Sequence, residues 1–419
     1  MQPLTILSLA AGETTAGAGS DPASYAWLVP ILVAVLTAAI LVTFVAVSAL
    51  IFIWAERKVS GRIQDRLGPT RVGGKFGWLQ TLADGVKLIA KEDIIPGDAD
   101  HFLFRMGPYV AFCGSFVAFL ALPFGNHIVA REMNVAIFFM LAVMSSEVFG
   151  VILAGYGSGS KWSLFGGIRE AAQVVSYEVP RAICVLIPVI LAGTLNLNTI
   201  SQQQSGFFWK WYVFHDPFTF AAFFVFFTCA TASCKRAPFD LAEAESELVA
   251  GFHTEYSGLR WSLFFMAEYG SMFAVSAIAT LLFLGGWHTG LLPVDPSESF
   301  LGFWLGNLIN VVVFILKGWF LVFVMMWVRW TLPRLRIDQV MMTCLKYLLP
   351  ISCVLLVGIC LWQLLIPPVA RTIISYVIAA GCIGLTALAT VKVLTTDAPA
   401  GHLPPGWDRP ANAEPIKVS

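Results

Sequence analysis

Residues 27–53 read WLVPILVAVLTAAILVTFVAVSALIFI, an apolar run without a charged side chain, and the next five are Trp54-Ala55-Glu56-Arg57-Lys58. About 20 apolar residues in a helix cross the ~30 Å hydrocarbon layer of a bilayer, so this run alone is long enough to span a membrane. Eight further stretches are mostly apolar and about as long as a span requires: 106–124, 135–154, 174–193, 217–233, 262–284, 302–328, 347–366 and 371–391. The fourth span opens with polar Ser176, Tyr177 and Glu178 and contains Pro180, and the fifth is short, so both are expected to be broken or tilted. The pattern predicts an all-α integral membrane protein of about nine transmembrane helices. The expected organisation is an exposed tail over 1–26, a membrane domain over 27–391 and a flexible Pro/Gly-rich tail over 392–419.

Composition supports this class. Of 419 residues, 58% are hydrophobic and 12% charged, and the mean hydropathy is +0.77. Soluble chains carry about twice that charged fraction. Zero formal net charge gives no support for nucleic-acid binding. The eight cysteines include no C-x-x-C pair and the six histidines no H-x-x-x-H pair, a pattern that speaks against a zinc, iron–sulfur or haem site in this chain. Residues 1–26 are rich in Gly, Ala, Ser and Thr and lack the basic start of an export signal.

Basic residues set the expected orientation. The connections 55–105, 155–181, 234–260, 329–346 and the C-terminal tail together carry about 22 Lys and Arg, and the alternate connections carry Arg131, Lys210 and Arg371. Taking the basic side as cytoplasmic places the N-terminus outside and the C-terminus inside a bacterial-type cell membrane. Within the first of these connections, Leu79, Leu82, Val86 and Ile89 fall at helical spacing beside Trp78, which predicts an interfacial amphipathic helix over residues 77–91. Such a helix is either a surface anchor alone or part of a site.

Acids inside apolar spans need a reason, because a carboxylate in hydrocarbon costs about 2.5–3.5 kcal/mol. Glu147 lies in the middle of span three, Glu178 opens span four and Glu268 lies in span six, with Lys317 as a cation in span seven. Each could be a polar tie between helices; together they suit a proton relay. The connection between spans five and six is denser still, with Asp240, Glu243, Glu245, Glu247 and Glu255 interleaved with Leu248, Val249, Phe252 and Tyr256. A solvated acidic face and a packed loop both fit that run, and the apolar content favours packing. The opposite charge follows span one, where Arg57, Lys58, Arg62, Arg66 and Arg71 surround Gln64, Gly68 and Pro69, as a basic membrane-surface stop or as a built turn.

Taken together, these segments resemble the family of quinone-site membrane subunits of respiratory complex I, the H subunits of NADH-quinone oxidoreductase. The resemblance covers the whole membrane domain, in order. It includes Glu56-Arg57-Lys58 with Gln64 and Arg66-Leu67-Gly68-Pro69, Leu79-Gln80 with Ala83-Asp84, Lys87-Leu88, Lys91-Glu92, Ala171-Ala172-Gln173 and Ser176-Tyr177-Glu178. It continues through Arg236-Ala237-Pro238-Phe239-Asp240-Leu241, the run 245–252, Glu255-Tyr256-Ser257-Gly258, and Leu332-Pro333-Arg334 with Asp338-Gln339. The resemblance implies a non-redox subunit that admits ubiquinone or menaquinone and begins a proton-coupling path, with flavin and iron–sulfur clusters held by partner subunits of the complex. By motif, Trp54, Arg57, Arg62, Arg66 and Phe252 would shape the quinone path. Asp84, Glu92, Glu147, Glu178, Asp240, Glu243, Glu245, Glu247, Glu255 and Glu268 would form the acidic chain. Three residues depart from the family's usual pattern: Thr70 and Lys235 stand where Asn is common, and Ser233 where many members carry Glu. The alternatives are the membrane anchor of an energy-converting hydrogenase and, from another class, a secondary transporter. A transporter would usually show an internal repeat.

Overall fold

The computed structural model describes residues 28–126, 128–241, 248–291 and 303–395, and every regular element among them is a helix. Residues 1–26, Glu243, Glu245, Glu247 and nearly all of 392–419 lie outside the described residues. In chain order the principal helices are α1 (Leu28–Ile63), α2 (Gln80–Ala90), α3 (His101–Val117), α4 (Ala136–Ser145), α5 (Glu147–Gly157) and α6 (Lys161–Ala192). They continue with α7 (Pro217–Ser233), α8 (Gly258–Phe283), α9 (Phe303–Thr331), α10 (Ile337–Met342), α11 (Leu349–Leu365) and α12 (Pro368–Thr395).

Eight helical stretches among the described residues are long and apolar enough to cross a bilayer, and α7 is a shorter apolar ninth. Each of the nine expected spans falls on one of these stretches. Several run beyond their expected bounds, the eighth from Ile337 rather than 347, and two of these extensions bear on the site. Helix α1 continues to Ile63, so Glu56, Arg57, Lys58 and Arg62 are helical rather than part of a loop, and the turn begins only at Gln64. Helix α6 starts at Lys161 and runs 32 residues without a break through Pro180 and Pro188. Pro180 has no N–H for the carbonyl of Ser176, four residues earlier, and the Cys344 thiol donates to that carbonyl at 3.0 Å instead.

Helix α8 is the axis of the bundle: every residue from Ala267 to Phe283 is buried. Its Phe273 meets Phe44 of α1 edge-on at 5.2 Å, Phe119 stacked at 6.0 Å and Phe314 of α9 edge-on at 6.5 Å, tying three neighbours to one ring. Helices α3 and α5 pack more closely than side chains would allow, because a Cβ on Gly150 would lie 2.4 Å from the Ala111 nitrogen. At the other extreme, α12 leaves Val369, Ile373, Val377, Leu385 and Leu388 exposed, an apolar surface suited to lipid or another membrane protein. Helix α2 buries Thr81 and exposes Leu82, Val86 and Ile89, as an interfacial helix lying on hydrocarbon does.

Candidate functional site

A buried layer of charge crosses the bundle where α1, α5, α6, α8 and the segment after α7 converge. Its positions follow from local sequence. The Ser145 and Ser146 hydroxyls donate back to the carbonyls of Leu141 (2.9 Å) and Val143 (2.6 Å), and the helix restarts at Glu147. That tightened turn falls within one spanning stretch, Ala136–Gly157, and puts Glu147 at the start of α5. After α7 the chain reverses at Lys235, whose φ of +57° is unusual for a residue with a side chain. The reversal sends two successive cations, Lys235 and Arg236, into the protein interior.

Each cation gathers its own acids. Arg236 Nη1 donates to both oxygens of Glu56 at 3.1 Å, and its Nε lies 2.7 Å from Glu268 Oε1. Tyr269 donates its hydroxyl to Glu56 Oε2 at 2.6 Å, and Arg329 reaches Glu56 Oε1 at 2.6 Å. Lys235 Nζ lies 3.0 Å from Glu147 Oε1 and also pairs with Glu170 Oε1; Ser271 donates to Glu147 Oε2 at 2.6 Å. Burial by itself disfavours both cations, but the facing carboxylates outweigh it: Glu147 and Glu170 hold the Lys235 ammonium well above its usual range, and Glu268 and Glu56 do the same for Arg236. Beside them, burial and then the charge on Lys235 push the His253 imidazole down to about 4, so it is neutral at physiological pH.

The layer meets an apolar groove through α1. The groove, about 350 Å³, runs between α1 and the amphipathic segment and is lined by Leu50, Ile51, Trp54, Trp78, Leu79 and Leu82. Trp54 Nε1 donates to the Phe76 carbonyl at 3.0 Å and pins that loop to α1. Arg57 and Asp84 hold the two helices together at 2.5 Å. Two residues beyond Trp54, on the inward face of the same helix, lies Glu56.

The structure brings together some of the residues singled out from sequence and separates others. Glu147 and Glu268 belong to the buried layer, and Phe252 is buried beside it, its ring 5.6 Å from Lys235 Nζ. Trp54, Arg57 and Asp84 belong to the groove. Arg62 lines a different apolar groove, of about 450 Å³, with Phe323 and Trp327, and Arg66 donates to Gln64 at 2.7 Å in the exposed turn. Glu178, 3.8 Å from Arg181, shares a small cavity with Glu147 and Lys235 at the edge of the layer, whereas Asp240 is 3.5 Å from Arg334, Glu255 is half-buried and Glu92 is exposed. At Ser233 the hydroxyl is spent on the Cys229 carbonyl at 3.0 Å, and the carboxylates that share its small cavity are those of Glu147 and Glu178.

Sequence reasoning gave no site role to Glu56, Lys235 and Arg236, though it quoted all three, and passed over Glu170, Tyr269 and Arg329. A signal existed for two of them. Val45, Ala49, Phe52, Glu56 and Ser60 are buried at spacings of three and four, and so are Ser163, Gly167, Glu170, Gln173, Tyr177 and Arg181. Continuing the helical period past the end of the apolar run marks Glu56 and Glu170 as inward-facing.

Comparison with known proteins gives a consistent result. The profile of a family described as NADH dehydrogenase matches residues 36–360. The NADH-quinone oxidoreductase H subunit of Anaeromyxobacter dehalogenans is 45% identical over 375 residues, 87% of this chain and 89% of that protein. The corresponding H subunits of Chlorobium luteolum and Chlorobaculum tepidum are each 47% identical, over 79% and 78% of this chain and 89% and 92% of theirs.

Proposed function

The chain belongs to the NADH dehydrogenase family as a homologue of the NADH-quinone oxidoreductase H subunits, and from that premise we propose that it forms the membrane access path for quinone and the start of a proton-coupling chain. Family membership makes it a multi-pass membrane subunit of the oxidoreductase complex and takes the place of the hydrogenase-anchor and transporter readings. Ubiquinone or menaquinone is the substrate in this proposal, while flavin and iron–sulfur clusters reside in partner subunits. The basic connections face the cytoplasm, with the N-terminus outside and the C-terminus inside.

The observation that carries the proposal is the double role of α1. One face of this helix lines the apolar groove at Trp54, open toward the hydrocarbon-facing side of α2, and the other buries Glu56 in the charge layer. An isoprenoid quinone is apolar along its tail and needs such a groove at bilayer depth. Its head group takes up two electrons and two protons on reduction, so negative charge develops before protonation. Charge developing near α1 acts on Arg236 and Arg329, which share Glu56, and through Arg236 on Glu268. In a water-poor interior a shift of one pair is felt by the next, which is what links reduction to proton movement.

Leu82→Asp places a charge in the groove without touching the buried layer. In the intact complex it should raise the KM for long-tailed quinone at least about tenfold and leave NADH oxidation by ferricyanide at its native rate. An unchanged KM would remove the groove from the quinone path.

A further inference from the structure

The buried charges are unequally shared. Among the described residues Arg236 and Arg329 face Glu56 and Glu268, whereas Lys235 faces both Glu147 and Glu170. Glu170 is 1% exposed, and its Oε2 finds no hydrogen-bond partner among the described residues. A buried carboxylate with an unpaired oxygen and half a counter-ion is costly as an anion; one proton shared between Glu147 and Glu170 removes the excess charge.

The surroundings of Lys235 give that proton somewhere to go. Two cavities of about 10 Å³, each large enough for one water, adjoin Glu147 and Lys235, while Glu170 lies behind Lys235 and lines neither. One is lined by Glu178, Arg181, Ser233 and Ser271, and the other by Phe252, His253, Phe264 and Glu268. Glu147 and Lys235 are walls of both.

We propose that Lys235 is a gating cation that, by pairing alternately with Glu147 and Glu170, decides which of them holds a shared proton and so controls proton passage between the two cavities. This rests on the proton-coupling role proposed above. With Glu147 protonated, the ammonium pairs with Glu170. When the O–H bond at Glu147 breaks and one forms at Glu170, whose carboxylate meets the same ammonium, the ammonium returns to Glu147. Lysine keeps all three protons throughout, since at each stage the ammonium faces one ionised carboxylate. Neutral His253 and the Arg181–Glu178 pair flank the gate without adding net charge to it. Lys235 is thus a positioning residue, acting through the two carboxylates.

The test uses the intact complex in proteoliposomes, with quinone reduction and lumen acidification measured together. Glu170→Gln is isosteric and leaves the Lys235–Glu147 pair in place, so a merely structural triad would tolerate it. The gate requires both activities to fall about tenfold or more, at native subunit content and native ferricyanide reduction. Lys235→Arg, which keeps the charge, should retain a substantial part of the turnover that Lys235→Gln loses. Should Lys235→Gln fail to assemble, Glu170→Gln and Lys235→Arg carry the test. Native acidification by Glu170→Gln overturns the gate. If Glu147→Gln is slow in the same assay, the broader proton-path proposal survives; if it too is native, both fall.

Discussion

Arg236 and Glu56 lie 180 residues apart in sequence, yet one guanidinium nitrogen of Arg236 reaches both carboxylate oxygens of Glu56 at 3.1 Å in the interior of a membrane protein. The pair joins the end of α1 to the segment after α7, and Tyr269 and Arg329 bind the same carboxylate from α8 and α9. Four parts of the chain therefore meet on Glu56.

Removing Arg236 leaves Glu56 with Arg329 and takes from Glu268 the guanidinium 2.7 Å away. Breaking a buried pair from one side costs about 3–5 kcal/mol, far more than the pair contributes net. Arg236→Ala is expected to lower the amount of the protein assembled in membranes, as read by immunoblot of native gels. Arg236→Lys, a point charge without the planar fork, should recover only part of it, because one ammonium cannot hold the geometry to both Glu56 and Glu268. Full assembly of Arg236→Ala would show that the layer does not stabilise the fold.

His253 gives a pH dependence with a defined sign. Burial and Lys235 bring it from 6.5 down to about 4. Between those values the unfolded chain binds a proton that the folded protein does not, so stability is full above about pH 6.5 and is lost as pH falls toward about 4, by up to about 3 kcal/mol. Thermal inactivation of the purified complex should therefore steepen on acidification from pH 7 to 5, and His253→Gln should flatten that slope. An identical slope in the variant would contradict it.

The contact between α3 and α5 allows a steric test. Gly150→Val would force a side chain where even a Cβ meets the Ala111 nitrogen at 2.4 Å, and the helices must separate. Overpacking of this kind costs about 1–3 kcal/mol or more. Since α5 begins at Glu147, the displacement also moves that carboxylate. The expected result is reduced assembly together with slowed quinone turnover in whatever assembles; native levels of both would show that the close approach is dispensable.

The fold was legible because hydrocarbon imposes one rule: apolar runs of sufficient length must be helices, and each of the nine runs lies on one. What hydropathy could not show is where a helix continues after its apolar run stops. Helix α1 extends through Glu56 and α6 begins well before residue 174, because polar residues at inward positions find partners there instead of water. For the same reason the site was half legible. Glu147 and Glu268 stood out as acids inside spans, whereas Glu56 and Glu170 sat where charge looked unremarkable. Lys235 and Arg236 were readable as residues but not as a pair, since only the left-handed turn at Lys235 sends both side chains inward.

The central claim is that the buried charge layer links quinone reduction to proton movement, and Glu147→Gln in the reconstituted complex tests it most directly. It replaces an acid held by Lys235 and Ser271 with a side chain of the same shape that cannot carry a proton. Acidification per NADH and quinone-linked turnover should fall together, about tenfold or more, while ferricyanide reduction stays native. Native turnover with native acidification in a fully assembled variant would contradict the claim.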